Sequence, residues 1–199
     1  MEHLIYAFCN KLIQNRVISE NDREVYEYSL AILLTSVLYY AGCIMIMCYY
    51  QCYLLPVIFL VTYMLLRSYI GGWHAHNMWT CMFASLLLFA VMVNIFIYPD
   101  ITTQGKLLFS GFSVLFNGWA LQHFGMQDHP NRKLTRDEQR IAKRKAFVLL
   151  FIILLLMMCS AFVSRFDIMF SMALACFAAT TLLLLAKFRA KGNEMYETQ

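Results

Sequence analysis

Residues Ser29–Tyr50, SLAILLTSVLYYAGCIMIMCYY, contain no charged side chain. About 20 apolar residues in helical form cross the roughly 30 Å of a bilayer's hydrocarbon core. The stretch therefore reads as a transmembrane helix. Its neighbours repeat the pattern. After Gln51, which leaves room only for a very short turn, a second run covers 53–70, with Pro56 in its first turn, where proline is tolerated. Further apolar runs cover 81–98, 107–124, 146–163 and 168–186. The whole chain of 199 residues is 61% apolar and only 14% charged, against about 25% charged in an average soluble domain. The expectation is an all-α polytopic membrane protein, one integral-membrane domain over 1–199 with six transmembrane helices. Four spans plus re-entrant segments is the alternative, because the second run is short and the fourth is interrupted by Gly111, Asn117 and Gly118.

The first 28 residues form an N-terminal segment ahead of these runs. Leu4, Ile5, Phe8, Leu12 and Ile13 recur at helical spacing, with Glu2, Asn10, Lys11, Gln14 and Asn15 largely elsewhere. This is an amphipathic helix, suited either to the membrane interface or to packing on its own protein. Ser19-Glu20-Asn21-Asp22 reads as a helix cap in which Ser19 accepts from backbone N–H groups. Past the last span, Lys187–Gln199 reads as a frayed polar tail. The seven cysteines are odd in number and form no repeating pair, so no disulfide framework is expected.

Orientation follows from lysine and arginine placement. With six spans, the N-terminal segment (Lys11, Arg16, Arg23), the turn holding Arg67, the polar stretch 126–145 and the tail all share one side. They hold fourteen of the sixteen basic residues; Lys106 and Arg165 are left for the other side. Both termini, the basic loop and the Arg67 turn are thus expected on the cytoplasmic side.

That turn is the one place where chemistry crowds between apolar runs: Arg67-Ser68-Tyr69-Ile70-Gly71-Gly72-Trp73-His74-Ala75-His76-Asn77-Met78-Trp79-Thr80-Cys81. Cys81 opens the third span, where a helix N-terminus favours the thiolate, the nucleophilic form. His74 is seven residues earlier, about 10.5 Å along a straight helix, whereas a proton-transfer pair needs roughly 2.6–3.2 Å. A Cys–His pair therefore requires the segment Gly71–Thr80 to bend. Gly71-Gly72 makes a non-helical entry plausible. His76 competes with His74 as base. Two other readings stand beside the catalytic one: a polar loop next to a membrane-buried thiol, and a metal site from His74, His76 and Cys81 that would still want a fourth ligand. Arg67 could bind a substrate carboxylate or snorkel to lipid phosphates.

Arg67, Gly72, His74 and Cys81 in this frame resemble the AgrB proteins, the accessory gene regulator peptidases of Gram-positive quorum sensing. The size, the apolar spans, the amphipathic start and the Asp128-His129-Pro130-Asn131-Arg132 opening of a basic loop resemble that family too. The resemblance implies a multi-pass cysteine endopeptidase in the cell membrane of a Gram-positive bacterium, acting on an AgrD-like propeptide. It assigns His74 and Cys81 the catalytic roles and gives Arg67 and Gly72 supporting ones. Gly71, His76, Arg132 and Lys133 complete the candidate substrate-binding or supporting set. The basic loop from Arg132 to Lys145 either holds the acidic propeptide tail or fixes topology with modest steering and sits against anionic lipids, topology being the favoured reading. Cys81 would attack near the propeptide's C-terminus, expel the tail and hold a thioester. An internal cysteine or serine of the propeptide would then close a thiolactone or lactone ring. The resemblance implies a homodimer in contact with membrane lipids, with neither cofactor nor metal nor nucleic acid. A non-enzymatic membrane carrier or scaffold for the peptide is the alternative.

Overall fold

A computed structural model describes residues 2–15, 17–70, 78–97, 101–124 and 136–197. Among them the protein is all-helical. Seven α-helices follow in order: α1 (Glu2–Gln14), α2 (Arg23–Tyr50), α3 (Leu54–Ile70), α4 (Met78–Ile97), α5 (Thr103–Phe124), α6 (Arg136–Phe162) and α7 (Phe166–Glu197). A single 3-10 turn, Glu20–Asp22, precedes α2. Four helical stretches are long and apolar enough to cross a membrane: Glu20–Tyr50, Trp79–Ile97, Arg140–Phe162 and Phe166–Phe188. Leu54–Tyr69 is a shorter apolar helix. Side chains such as Leu33, Met45, Leu87, Phe151 and Met158 are exposed on these helices, as lipid-facing surface requires. The protein is a polytopic α-helical membrane protein.

The chain divides into two compact units, Met1–Tyr49 with Ala75–Ala90, and Tyr50–His74 with Val91–Gln199. In the first, α1 folds against the start of α2. Ile5, Cys9 and Ile18 are buried, while Tyr6 and Phe8 stay exposed. Arg23 ties the join. Its Nη2 donates to Asn10 Oδ1 at 2.7 Å, its other nitrogens reach Glu20 and Glu27, and its guanidinium lies 4.2 Å from the centroid of the Tyr6 ring. The amphipathic helix thus packs one face on its own protein. The cap expected at Ser19 is corrected: its hydroxyl donates to Asp22 Oδ2 at 2.6 Å and makes no bond to a backbone N–H. A nearby carboxylate is the stronger acceptor and takes the hydroxyl proton. Further along, Gly42 admits close approach of α2 and α4; a Cβ there would sit 2.7 Å from Leu86 Cδ2.

In the second unit α7 is the axis. Of its membrane-length window 61% is buried, against 17–22% for the other three. Small residues line much of its inner face: Ala173, Ala175, Cys176, Ala178, Ala179 and Thr180 are all buried, beside the larger Phe170, Leu174 and Leu183. Small residues let helices approach closely where lipid supplies no hydrophobic drive. The helix packs against α3, α5 and α6. Lys106 Nζ meets Asp167 Oδ1 at 2.6 Å, Ser113 Oγ donates to Ala173 O at 2.6 Å, and Asn117 Nδ2 donates to Cys176 O at 3.2 Å. This nearly constant offset shows that α5 and α7 run in the same direction. Ser171 Oγ donates to Leu55 O, which sets the start of α3 at the same end. Lys143 Nζ donates to Gln122 O at 3.1 Å, so α6 starts where α5 ends.

Two expectations about helix extent change. The stretch 126–145, expected as a basic loop, is helical from Arg136 onward and continuous with the span that follows, although Thr135-Arg136-Asp137-Glu138 within it already reads as a helix start. The tail is not frayed at Lys187 but continues α7 to Glu197, running through Gly192 with no proline to break it.

α6 ends in a Schellman motif. Arg165 N–H bonds Ser160 O at 2.8 Å and Ser164 N–H bonds Ala161 O at 2.9 Å, with Ser164 at φ 58°. Glycine adopts this left-handed conformation without the Cβ clash. Ser164→Gly is therefore expected to stabilise the fold by about 0.5–1 kcal/mol, measured as a higher midpoint of thermal unfolding in detergent.

Candidate active site

Arg67 stands in the last turn of α3, where a cation complements the helix dipole. Its Nη1 donates to Tyr63 Oη at 3.0 Å, one turn back. Its guanidinium carbon is 5.8 Å from the centroid of the same ring. Tyr63 is buried to 1% exposure and stacks on Phe59, equally buried, with centroids 5.8 Å apart and planes within 5°. Leu66 is fully buried on the adjoining stripe. The charge is therefore placed by a rigid aromatic column at the end of an apolar helix.

Cys81 is the fourth residue of α4, within the first turn, over which the helix dipole acts. It is partly exposed. Residues four apart on a helix share a face, and Cys81 begins the stripe that continues through Ser85 to the buried Phe89. Trp79 stacks on the exposed Phe83, with centroids 6.4 Å apart, on the neighbouring stripe. α4 starts at Met78 rather than at Cys81 itself, so three residues of the first turn precede the thiol.

Of the sequence-derived set, Arg67 belongs to the second compact unit and Cys81 to the first. Gly71, Gly72, His74, His76, Arg132 and Lys133 lie outside the described residues. The bend expected over Gly71–Thr80 falls there too, except for Met78–Thr80, which form the first turn of α4. All seven cysteines are thiols. Cys9, Cys43 and Cys176 are buried. Among the described residues no group of three His, Cys, Asp or Glu could hold a metal ion. Sequence reasoning missed Tyr63, although its position four residues before Arg67, the spacing of helix-face neighbours, was the available signal.

The family profile described as Accessory gene regulator B matches residues 5–185, from α1 through the apolar part of α7. The chain belongs to the AgrB family. No curated protein and no solved structure matches it. AgrB membership makes the chain a membrane protein of the agr quorum-sensing system, with an agr-type propeptide as partner. The matched range includes both Arg67 and Cys81.

One measurement probes this AgrB site region and another the far end of α3. Tyr63→Phe removes the acceptor on Arg67 and is expected to lower stability by about 0.5–1.5 kcal/mol, read as a fall in the thermal midpoint in detergent. A second concerns Cys52, in the turn between α2 and α3, where burial raises the thiol pKa. Less thiolate forms at a given pH. In a variant keeping only Cys52, alkylation is expected to run slower at pH 8 than for a peptide thiol. Its rate should still climb with pH after the peptide's has levelled off.

Proposed function

We propose that this AgrB-family protein is a cysteine endopeptidase that removes the C-terminal tail of an AgrD-like propeptide and prepares the remainder for ring closure. The reading rests on family membership over residues 5–185, together with a thiol, Cys81, in the first turn of a membrane-length helix. It takes His74 as the base, His76 as its neighbour, and Gly71-Gly72 as the entry to the segment between α3 and α4.

The chemistry balances within the chain and its substrate. His74 takes the Sγ proton of Cys81, and the thiolate attacks a propeptide carbonyl. The tetrahedral oxyanion is stabilised by backbone N–H groups of the Gly71-Gly72 entry or the start of α4. Collapse breaks the C–N bond. Protonated His74 gives its proton to the departing amine, and the acyl group stays on Sγ as a thioester. An internal thiol or hydroxyl of the propeptide then displaces Cys81 and forms a thiolactone or lactone. Thioester exchange is close to neutral in energy, so positioning of the second nucleophile governs the outcome. Exclusion of water at the membrane face protects the acyl-enzyme.

Arg67, held by Tyr63, offers a fixed cation for a substrate carboxylate. Arg132 and Lys133 open the basic stretch that would meet the acidic tail before cleavage. Fourteen of sixteen basic residues fall in segments assigned to one side by six-span alternation, which supports a cytoplasmic site and cytoplasmic termini in a Gram-positive cell membrane. The protein acts as a homodimer in this reading.

Co-expression with the propeptide is expected to yield tail cleavage, seen as a smaller band and a released tail by mass spectrometry. Cys81→Ala and His74→Ala should each abolish it, while His76→Ala leaves more than half. A mass increase equal to the truncated propeptide less one water should appear on Cys81 when the propeptide's internal nucleophile is replaced by alanine. Cleavage that survives Cys81→Ala would end the reading and leave the protein a carrier of the peptide.

A further inference from the structure

A groove of about 500 Å³ opens on the second unit between the last turn of α3 and one face of α6. Its residues on α6 are Ile141, Arg144, Lys145, Val148, Leu149 and Ile152, and Tyr69 closes it from α3. The spacing of three, four, seven and eight residues along α6 places all six on one helical stripe. The stripe is polarised. Both cations stand in its first half, and from Val148 onward it offers only hydrocarbon. Arg144 to Ile152 spans eight residues, about 12 Å of rise, which is the distance from a headgroup to the upper acyl chain.

We propose that this groove is a binding site for one anionic phospholipid, with the headgroup phosphate on Arg144 and Lys145 and an acyl chain along Val148, Leu149 and Ile152. This goes beyond the peptidase reading and does not depend on it. Charge complementarity identifies the headgroup. The neighbouring Lys143 is spent on the Gln122 carbonyl at the end of α5, whereas no carboxylate among the described residues pairs with Arg144 or Lys145. The site's position identifies the rest of the ligand. Arg144 and Lys145 are the last charges before the apolar run of a membrane-length helix, where basic side chains meet lipid phosphates. Val148 and Ile152 are about half exposed, at 54% and 46%, so the surrounding hydrocarbon reaches them directly. Tyr69 stands at the headgroup level, where an amphipathic ring is favoured.

An acidic peptide is the competing occupant, and the floor argues against it. A peptide lying past Lys145 would bury backbone N–H and C=O groups against side-chain carbons with no partner. An alkyl chain has no such groups. The site also touches the catalytic stretch through the chain itself: Tyr69 is two residues after Arg67 and five before His74. A lipid bound there holds the end of α3 from which that stretch departs.

The test is native mass spectrometry of the full chain in detergent with equimolar phosphatidylglycerol and phosphatidylcholine. The unaltered protein is expected to retain phosphatidylglycerol preferentially. Arg144→Gln with Lys145→Gln should reduce that preference by roughly tenfold or more. Lys11→Gln with Arg165→Gln, which removes the same charge elsewhere, should leave it intact. Val148→Trp keeps both cations but fills the groove, and should also lose retention; circular dichroism checks that each variant is folded. Equal retention of the two lipids by the unaltered protein would overturn the proposal. So would unchanged preference in the Arg144/Lys145 variant or in Val148→Trp, or equal loss in the charge control. Because the readout is lipid mass and not peptide cleavage, failure here leaves the peptidase reading untouched.

Discussion

Hydrocarbon offers no partner to a polar group, and the packing of α5 on α7 is shaped by that constraint. A polar side chain carried into the interior gains by finding an acceptor on a neighbouring helix or on its own. Ser113 and Asn117 of α5 do so on the carbonyls of Ala173 and Cys176. Those carbonyls are reachable because α7 presents Ala173, Cys176 and Thr180 there, while its Phe170 and Phe177 pack alongside against Phe109, Phe112 and Phe116 of α5. The small residues of one helix and the polar residues of the other are thus a single device. Thr180 adds to it by returning its hydroxyl to Cys176 O of its own helix. Asn117 Oδ1 and Ser110 Oγ have no partner among the described residues, so the seam retains unused acceptor capacity.

The same logic separates the two ends of the second unit. At one end Lys106 and Asp167 join the starts of α5 and α7. At the other, Lys143 caps the α5 carbonyls and the groove brings Tyr69 beside Arg144 and Lys145. The end of α3, which carries Arg67, therefore lies with the basic start of α6. The antiparallel run of α6 against α5 and α7 gives this arrangement, and it puts the cationic surface beside the end of α3, close in sequence to His74.

How much of this the sequence discloses depends on what each feature needs. Ser29–Tyr50 is legible because the absence of charge over a membrane's thickness has one physical solution. The start of α6 at Arg136 is legible from Thr135-Arg136-Asp137-Glu138, a local signal. Ser19 was misread because its acceptor is chosen by geometry: Asp22 competes with the backbone, and the residue types alone do not say which wins. The continuity of α5 through Gly111, Asn117 and Gly118 is a tertiary effect, since Asn117 is held by α7 and not by its own propensity. At the site, the types Cys81 and Arg67 were readable from their place at the ends of apolar runs. Tyr63 was not noticed because a tyrosine in an apolar helix looks like core, and its hydroxyl matters only once the guanidinium is seen beside it.

The burial of α7 has a consequence for the order of assembly. Ribosomes deliver helices to the membrane from the N-terminus, and α7 comes last of those described. Yet it is the helix on which α3 and α5 pack, and its carbonyls are the ones that Ser113 and Asn117 need. Until it arrives, α5 waits in lipid with its polar stripe unmatched. The three-residue turn at Val163–Arg165 then delivers α7 alongside α6 as a hairpin. The second unit is therefore a structure whose keystone is synthesised after the stones it supports, and its completion is a post-insertion event.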